Sequence, residues 1–273
     1  MNNRKGILYI IIYLTIPSLI LSQTNELGVF IGGSLFHGDV GYQNAELSLL
    51  KSKKSIGLEF KRNFNYHFGV KISMINGDIY ADSKHNPNIF REQQNLKFRS
   101  KVTEIGVLFE LNFRPYLSRD DDYNSTPFVF TGLTNFYFNP QSENNGNWYN
   151  LRPLKTEGQG SDAYPTRDLY KLNGLSIPVG LGYKLNAYKV LTIAFNIGWR
   201  ITFIDYIDDV STTYVDDAML NALGQDLSNP SNHQFTTGFQ RGDPYDNDKY
   251  GFFGISILYS FKDKTKDCKD IIY

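Results

Sequence analysis

One cysteine in 273 residues, Cys268, rules out a disulfide within a single chain, whatever the redox state of its compartment. Histidine is scarce as well. His37, His67, His85 and His233 match no zinc spacing with one another or with Cys268. The Asp-rich stretch 205–209 and the pair Asp216–Asp217 lack the regular ligand spacing and glycine turn of a calcium loop, and both are expected to be solvated loop. No metal or cofactor is therefore expected. An excess of one charge is also missing: 28 basic residues balance 28 acidic ones. Nucleic-acid binding requires a clustered basic surface and is not expected.

Other absences bear on chemistry. The glycines of GVFIGGS and GLGYKL have no Lys-Ser/Thr beside them and no strand-to-helix context, so they are not phosphate cradles. In strands such glycines allow bends and close approach. No Ser, His and Asp set stands out for nucleophilic catalysis, and the chain is expected not to be an enzyme. The RGD at 241–243 is too short to support adhesion. Beyond residue 22 no apolar run approaches the ~18 residues of a membrane helix, and no segment shows a helical stripe.

What is present begins with MNNRKGILYIIIYLTIPSLILS, residues 1–22. Arg4 and Lys5 precede an apolar run that ends at Ser22, the pattern of a secretory signal peptide. No cysteine lies near that junction, which argues against a lipid anchor. Without Arg4 and Lys5 the chain carries 26 basic residues against 28 acidic.

Eight segments have strand texture, near 26–41, 55–63, 67–77, 96–113, 126–138, 169–185, 190–206 and 249–262. Apolar residues recur at every second position, as in Ile105, Val107, Phe109, Leu111 and Phe113, or Phe253, Ile255, Ile257, Tyr259 and Phe261. The connections at 63–66 and 186–189 are tight and the one at 114–125 is moderate. Those at about 42–54, 78–95, 139–168 and 207–248 are long and polar. Such alternation of short and long links is foreign to ordinary domains and typical of outer-membrane barrels. The expected fold is all-β: an eight-stranded antiparallel transmembrane β-barrel of OmpA or OmpX size, with long extracellular loops. Its expected bounds are 23–262, followed by a periplasmic tail at 263–273, with both termini periplasmic and membrane lipid around the wall.

The charged residues provide an independent check. Glu59, Lys61, Lys71, Glu104, Glu110, Lys184 and Arg200 all sit on the parity opposite to the apolar set. Each would cost ~2–4 kcal/mol facing lipid at the midplane and less near the edges, on the order of 10 kcal/mol in all. A typical domain is stable by only ~5–15 kcal/mol, so the charges must face inward. An eight-stranded barrel is only just wide enough for its own side chains, and buried charges need partners. A lumen plugged by ion pairs is the expectation. Trp199, Tyr183 and Tyr259 suit interfacial depths. Lys97, Arg99 and Lys101 share the lipid parity of strand four and belong above the bilayer. Parity is ambiguous in strand five, where Phe128, Phe130, Phe136 and Phe138 compete with Val129 and Leu133. The Asp run after Phe203 marks an exit into water, and residues 233–240 are a possible further pairing segment above the membrane.

Four stretches carry a resemblance. ELGVFIGGSLFHGDVG at the mature start, LRPLKTEGQG at 151–160, GWRITFIDYIDDVSTTYV at 198–215 and QRG at 240–242 resemble the PorG-like outer-membrane barrel proteins of the Bacteroidetes type IX secretion system. The final strand GISILYSF resembles the aromatic-terminated assembly signal of outer-membrane barrels. The resemblance implies a non-enzymatic component of the secretion and gliding machinery, associated with a periplasmic ring made of a lipoprotein and its partner protein. The unpaired Cys268, in the tail, is a candidate for an intermolecular disulfide with such a partner. Arg152 and Glu157, in the second stretch, and Asp205, Asp208 and Asp209, in the third, form a loop motif. Arg152 pairing with those aspartates would cap the barrel mouth. A barrel enzyme acting on lipids and a small passive transporter are the alternatives.

Overall fold

The computed structural model describes residues 24–41, 45–84, 86–119, 122–231 and 235–262. Residues 1–22, His85, His233 and the tail with Cys268 lie outside the described residues. Eight long strands carry the fold: β1 (Thr24–His37), β2 (Lys53–Asn63), β3 (Phe68–Asp82), β4 (Lys97–Asn112), β5 (Ser125–Tyr137), β8 (Asn173–Tyr188), β9 (Leu191–Thr202) and β10 (Lys249–Lys262). Each pairs antiparallel with its neighbour in the order β3-β2-β1-β10-β9-β8-β5-β4, and pairing of β3 with β4 closes the ring. A short hairpin, β6 (Gln141–Asn144) and β7 (Asn147–Asn150), projects from the loop after β5 and touches the barrel through Arg99 opposite Gln141. Three short α-helices of six or seven residues sit in the long loops: α1 (Ala45–Leu50), α2 (Ile89–Gln94) and α3 (Ala222–Ser228).

The wall follows from the alternation of side chains on successive faces of a strand. Ile56, Leu58, Phe109, Leu133 and Leu181 are each more than half exposed, and similar residues face outward on all eight strands. Soluble monomers rarely expose apolar patches beyond a few hundred Å²; a continuous ring of this kind requires hydrocarbon around it. On β8 the outward row runs from Leu175 to Tyr183. At ~3.3 Å per residue and a tilt of ~40° that row is roughly 20 Å tall, close to the ~25 Å band of membrane barrels.

The tight connections lie at the end where Thr24 pairs with Lys262. In the β2–β3 turn, the Asn65 side-chain Oδ1 accepts from the amides of His67 and Phe68, both at 2.8 Å, a local bond that competes with strand continuation. The β4–β5 connection folds back into the mouth, burying Tyr116 completely.

Strand five resolves its own ambiguity. Phe128, Phe130, Phe136 and Phe138 point inward and are buried, while Leu133 is 56% exposed. Room for two of these rings comes from glycines across the seam: a Cβ on Gly180 would strike the ring of Phe130, and one on Gly182 the ring of Phe128. The strand expected from 169 begins at Asn173, and residues 38–41 leave β1 for the loop above. In the segment 233–240, whose pairing the sequence left open, the described residues contribute one bridge, Thr213 to Gln240. The described parts of the long loops pack more closely than their polarity suggested. Val40, Phe138, Ile207 and Val210 join Phe36, Ile79 and Phe98 of the strands in one core over the barrel.

Candidate functional site: an ion-paired lumen beneath a packed loop cap

Strand parity brings the charged residues of the wall together inside it. Glu110 is the hub: Lys61 and Lys184 each reach it at 2.8 Å, and Lys71 at 3.6 Å. Lys71 also pairs with Glu59 at 3.1 Å, and Lys61 with Glu26 at 3.7 Å. One layer higher, Arg200 grips Glu104 in a two-point fork of 2.9 and 2.8 Å, and the Tyr250 hydroxyl donates to the same carboxylate at 2.7 Å. The four carboxylates (Glu26, Glu59, Glu104, Glu110) and four cations (Lys61, Lys71, Lys184, Arg200) cancel.

Aromatic faces line this network. Lys184 lies 4.6 Å from the centroid of Phe128 and Arg200 4.6 Å from that of Phe252, an electrostatic attraction that strengthens away from water. Tyr116 closes the short-turn end, its hydroxyl 2.7 Å from both Asn186 and Thr192. The free space bounded by Glu59, Lys71, Asn196, Arg200 and Phe252 is only about 20 Å³, room for about one water molecule. Glu26 joins the expected set: it shares the parity of the others, alternating with Leu27, Val29 and Ile31, but it stands at the very start of β1, where the alternation is only beginning.

Above the lumen a second network ties the loops. Glu157 and Arg241 form its centre, at 2.9 Å and both fully buried. Glu157 also accepts from the Ser211 amide (3.0 Å), the Thr212 amide (2.9 Å) and the Thr212 hydroxyl (2.7 Å). The Arg241 guanidinium donates to the carbonyls of Asp209 (2.7 Å) and Ser228 (3.2 Å). Asp209, in a left-handed conformation, accepts from Thr156 at 2.5 Å and from the Tyr170 hydroxyl at 2.6 Å. Asp208 holds the amides of Val40 (2.8 Å) and Val210 (3.0 Å). Arg91 links Asp39 (2.5 Å) to the Arg241 carbonyl (2.9 Å).

These contacts correct two expectations. Asp208 and Asp209 are buried in the cap, where backbone amides and hydroxyls replace water, and Asp205 is half-buried. Arg152 pairs with none of the three aspartates: its Nε donates to the Tyr170 carbonyl at 2.7 Å. The cation that binds the motif is Arg241, which also buries the RGD tripeptide at its first residue. Burial lifts Asp209 to about 6 against the pull of Arg241, and lifts Asp205 to about 7. Asp208 and Asp248 are pushed well above the carboxylate range by burial, with neighbouring acids adding to the shift. No group of three or more His, Cys, Asp or Glu side chains among the described residues is placed to hold a metal ion.

A closed eight-stranded wall, apolar outside, ion-paired inside and roofed by packed loops defines the class: a membrane-spanning β-barrel with a filled lumen. Residues 5–270 match the family described as Domain of unknown function (DUF6089), and the chain belongs to that family. No curated protein matches it. Solved structures similar to it include Ail, the attachment invasion locus protein of Yersinia pestis, in complex with the heparin analogue sucrose octasulfate. That likeness has 11% identity and a TM-score of 0.42 over 88% of this chain and 100% of the other. Neisserial surface protein A is similar at 7% identity and a TM-score of 0.44, over 88% and 99% of the two chains. The outer membrane protein OprG of Pseudomonas aeruginosa is similar at 10% identity and a TM-score of 0.41, over 88% and 98%. None of the three bears on what this chain binds.

Proposed function

We propose that this protein is a non-enzymatic outer-membrane component of the type IX secretion and gliding machinery, an assembly subunit and not a conduit. One observation carries the reading. The four stretches that resemble PorG-like proteins meet in a single knot, with Asp39 from the first, Thr156 and Glu157 from the second, Asp209 and Thr212 from the third and Arg241 from the fourth. The resemblance therefore falls on a buried arrangement that holds the long loops in one shape, at the end of the barrel opposite the short turns, which supports a structural role. The filled lumen speaks against passive transport.

In this reading the short-turn end and the tail face the periplasm. They meet the ring lipoprotein and its partner protein there, with Cys268 available for a disulfide to one of them. Deleting the gene is expected to stop export of secreted proteins while membrane permeability stays normal; intact export would overturn the assignment. Affinity capture from detergent-solubilised membranes is expected to recover the ring proteins. A thiol-sensitive adduct on a non-reducing gel should vanish in Cys268→Ser, and its absence from the wild type would remove the disulfide from the proposal.

A further inference from the structure

On the outer wall of β3 and β4 the side chains change character within two residue pairs. Met74 opposite Ile105 is the last apolar pair; Asn76 opposite Thr103, Asp78 opposite Lys101 and Tyr80 opposite Arg99 follow. Lys101 stands four residues above Ile105, ~13 Å along the strand at ~3.3 Å per residue and ~10 Å in height after a ~40° tilt. This level lies just outside the hydrocarbon, where polar headgroups pack.

A hollow of about 730 Å³ opens here, lined by Lys53, Tyr80, Arg99, Lys101, Tyr137 and Trp148. Its cations lack the counter-charges that every lumen cation has. Lys97 nearby is matched by Glu143 at 2.8 Å, whereas Lys53, Arg99 and Lys101 form no ion pair among the described residues. Asp78 is the only carboxylate among the lining residues, so three positive charges face one negative.

Arg99 is held in place by neutral groups. Its Nε donates to Gln141 at 3.0 Å and its guanidinium lies 4.1 Å over Trp148, which leaves both terminal nitrogens free to fork onto a phosphate. Lys53 stands 4.8 Å over the Tyr80 ring. Tyr137 and Trp148 add flat faces against which a sugar ring can pack. Below the hollow, Ile105 and Leu133 continue the apolar wall. An anchored guanidinium with two exposed lysines beside it, at headgroup height above an apolar track, matches a molecule with a phosphate at one end and acyl chains at the other.

We propose that this hollow binds the phosphorylated sugar headgroup of a membrane lipid, with Arg99 and Lys101 on the phosphate and the acyl chains along Ile105 and Leu133. The proposal rests on the membrane-spanning fold and not on the secretion role. The full-length mature protein in neutral detergent is mixed with lipid A, with lipid A stripped of its phosphates, with phosphatidylethanolamine and with inorganic phosphate, and retained adducts are weighed by native mass spectrometry. The expected result is one tight lipid A adduct that falls at least tenfold on dephosphorylation and at least tenfold in Arg99→Gln/Lys101→Gln. Lys249→Gln, a change at a cation already paired with Asp246 at 2.8 Å, is expected to leave it intact. Equal retention of lipid A by the Arg99/Lys101 variant, or equal retention of phosphatidylethanolamine by the wild type, would overturn the site. Inorganic phosphate binding as tightly as lipid A would overturn the lipid assignment. An unchanged heat-dependent gel mobility of the variant shows that the barrel is folded.

Discussion

Arg241 and Arg152 separate a residue that holds the cap from one that decorates it. Arg241 is buried against Glu157 and two carbonyls, and removing one partner of a buried pair costs ~3–5 kcal/mol because the other charge stays behind. Arg241→Ala is expected to expose segment 205–248 to protease, with the barrel still folded. Arg152 makes one bond to a carbonyl, worth ~1 kcal/mol, so Arg152→Ala should leave cleavage almost unchanged. In the lumen, Glu110 serves three lysines. Glu110→Ala is expected to lose ~3–5 kcal/mol, read as a lower urea midpoint in detergent, and Lys184→Met added to it should recover part of the loss. Both roles of charge were only half legible beforehand. Inward direction follows from parity, an intrinsic property of a strand. The identity of a partner does not: Arg241 and Glu157 lie 84 residues apart, with no local signal that joins them.

At the scale of elements, the hairpin β6–β7 rests on Asn145 (φ 51°) and Gly146 (φ 81°), the left-handed pair that a two-residue hairpin turn demands. The Asn-Gly dipeptide was a readable signal, hidden within a long polar loop. Gly146→Val places a branched side chain in that conformation and is expected to cost at least ~1 kcal/mol locally, seen as faster amide exchange over 141–150 with the barrel strands unaffected. The loop segment 205–215 has its own response to pH. Asp209 and Asp205 are raised to about 6 and about 7 in the fold, above the ~3.9 of an unfolded aspartate. At these two sites the folded cap thus binds more protons than the unfolded chain between those values, and their contribution to its stability is full below about pH 4 and falls as pH rises through 6 to 7. Amide protection of 205–215, corrected for intrinsic exchange, is expected to be greater at pH 5 than at pH 8. Asp205→Asn should reduce the difference.

For the whole molecule, the wall and the filled lumen lead to one expectation: planar bilayers containing the purified protein show no large, steady conductance. Among the described residues, the matched charges of the lumen enclose a cavity of only about 20 Å³, room for about one water molecule. Openings of nanosiemens size would show that the ion pairs part in a membrane. The apolar ring leads to another. The purified protein should remain monodisperse only in detergent or lipid, because more than half of the surface of residues such as Leu58 and Phe109 faces outward.

The sequence by itself determined the barrel. A period of two, charges confined to one parity and alternating loop lengths are each local or additive, so they survive without knowledge of any contact. Only the tertiary structure decided the rest: that Phe128 and Phe130 turn inward where glycines make room, that polar loops close into a cap, and that Asp208 and Asp209 leave water for backbone amides. Those outcomes depend on groups far apart in the chain meeting in space, and on a desolvation cost that is offset only when every partner arrives.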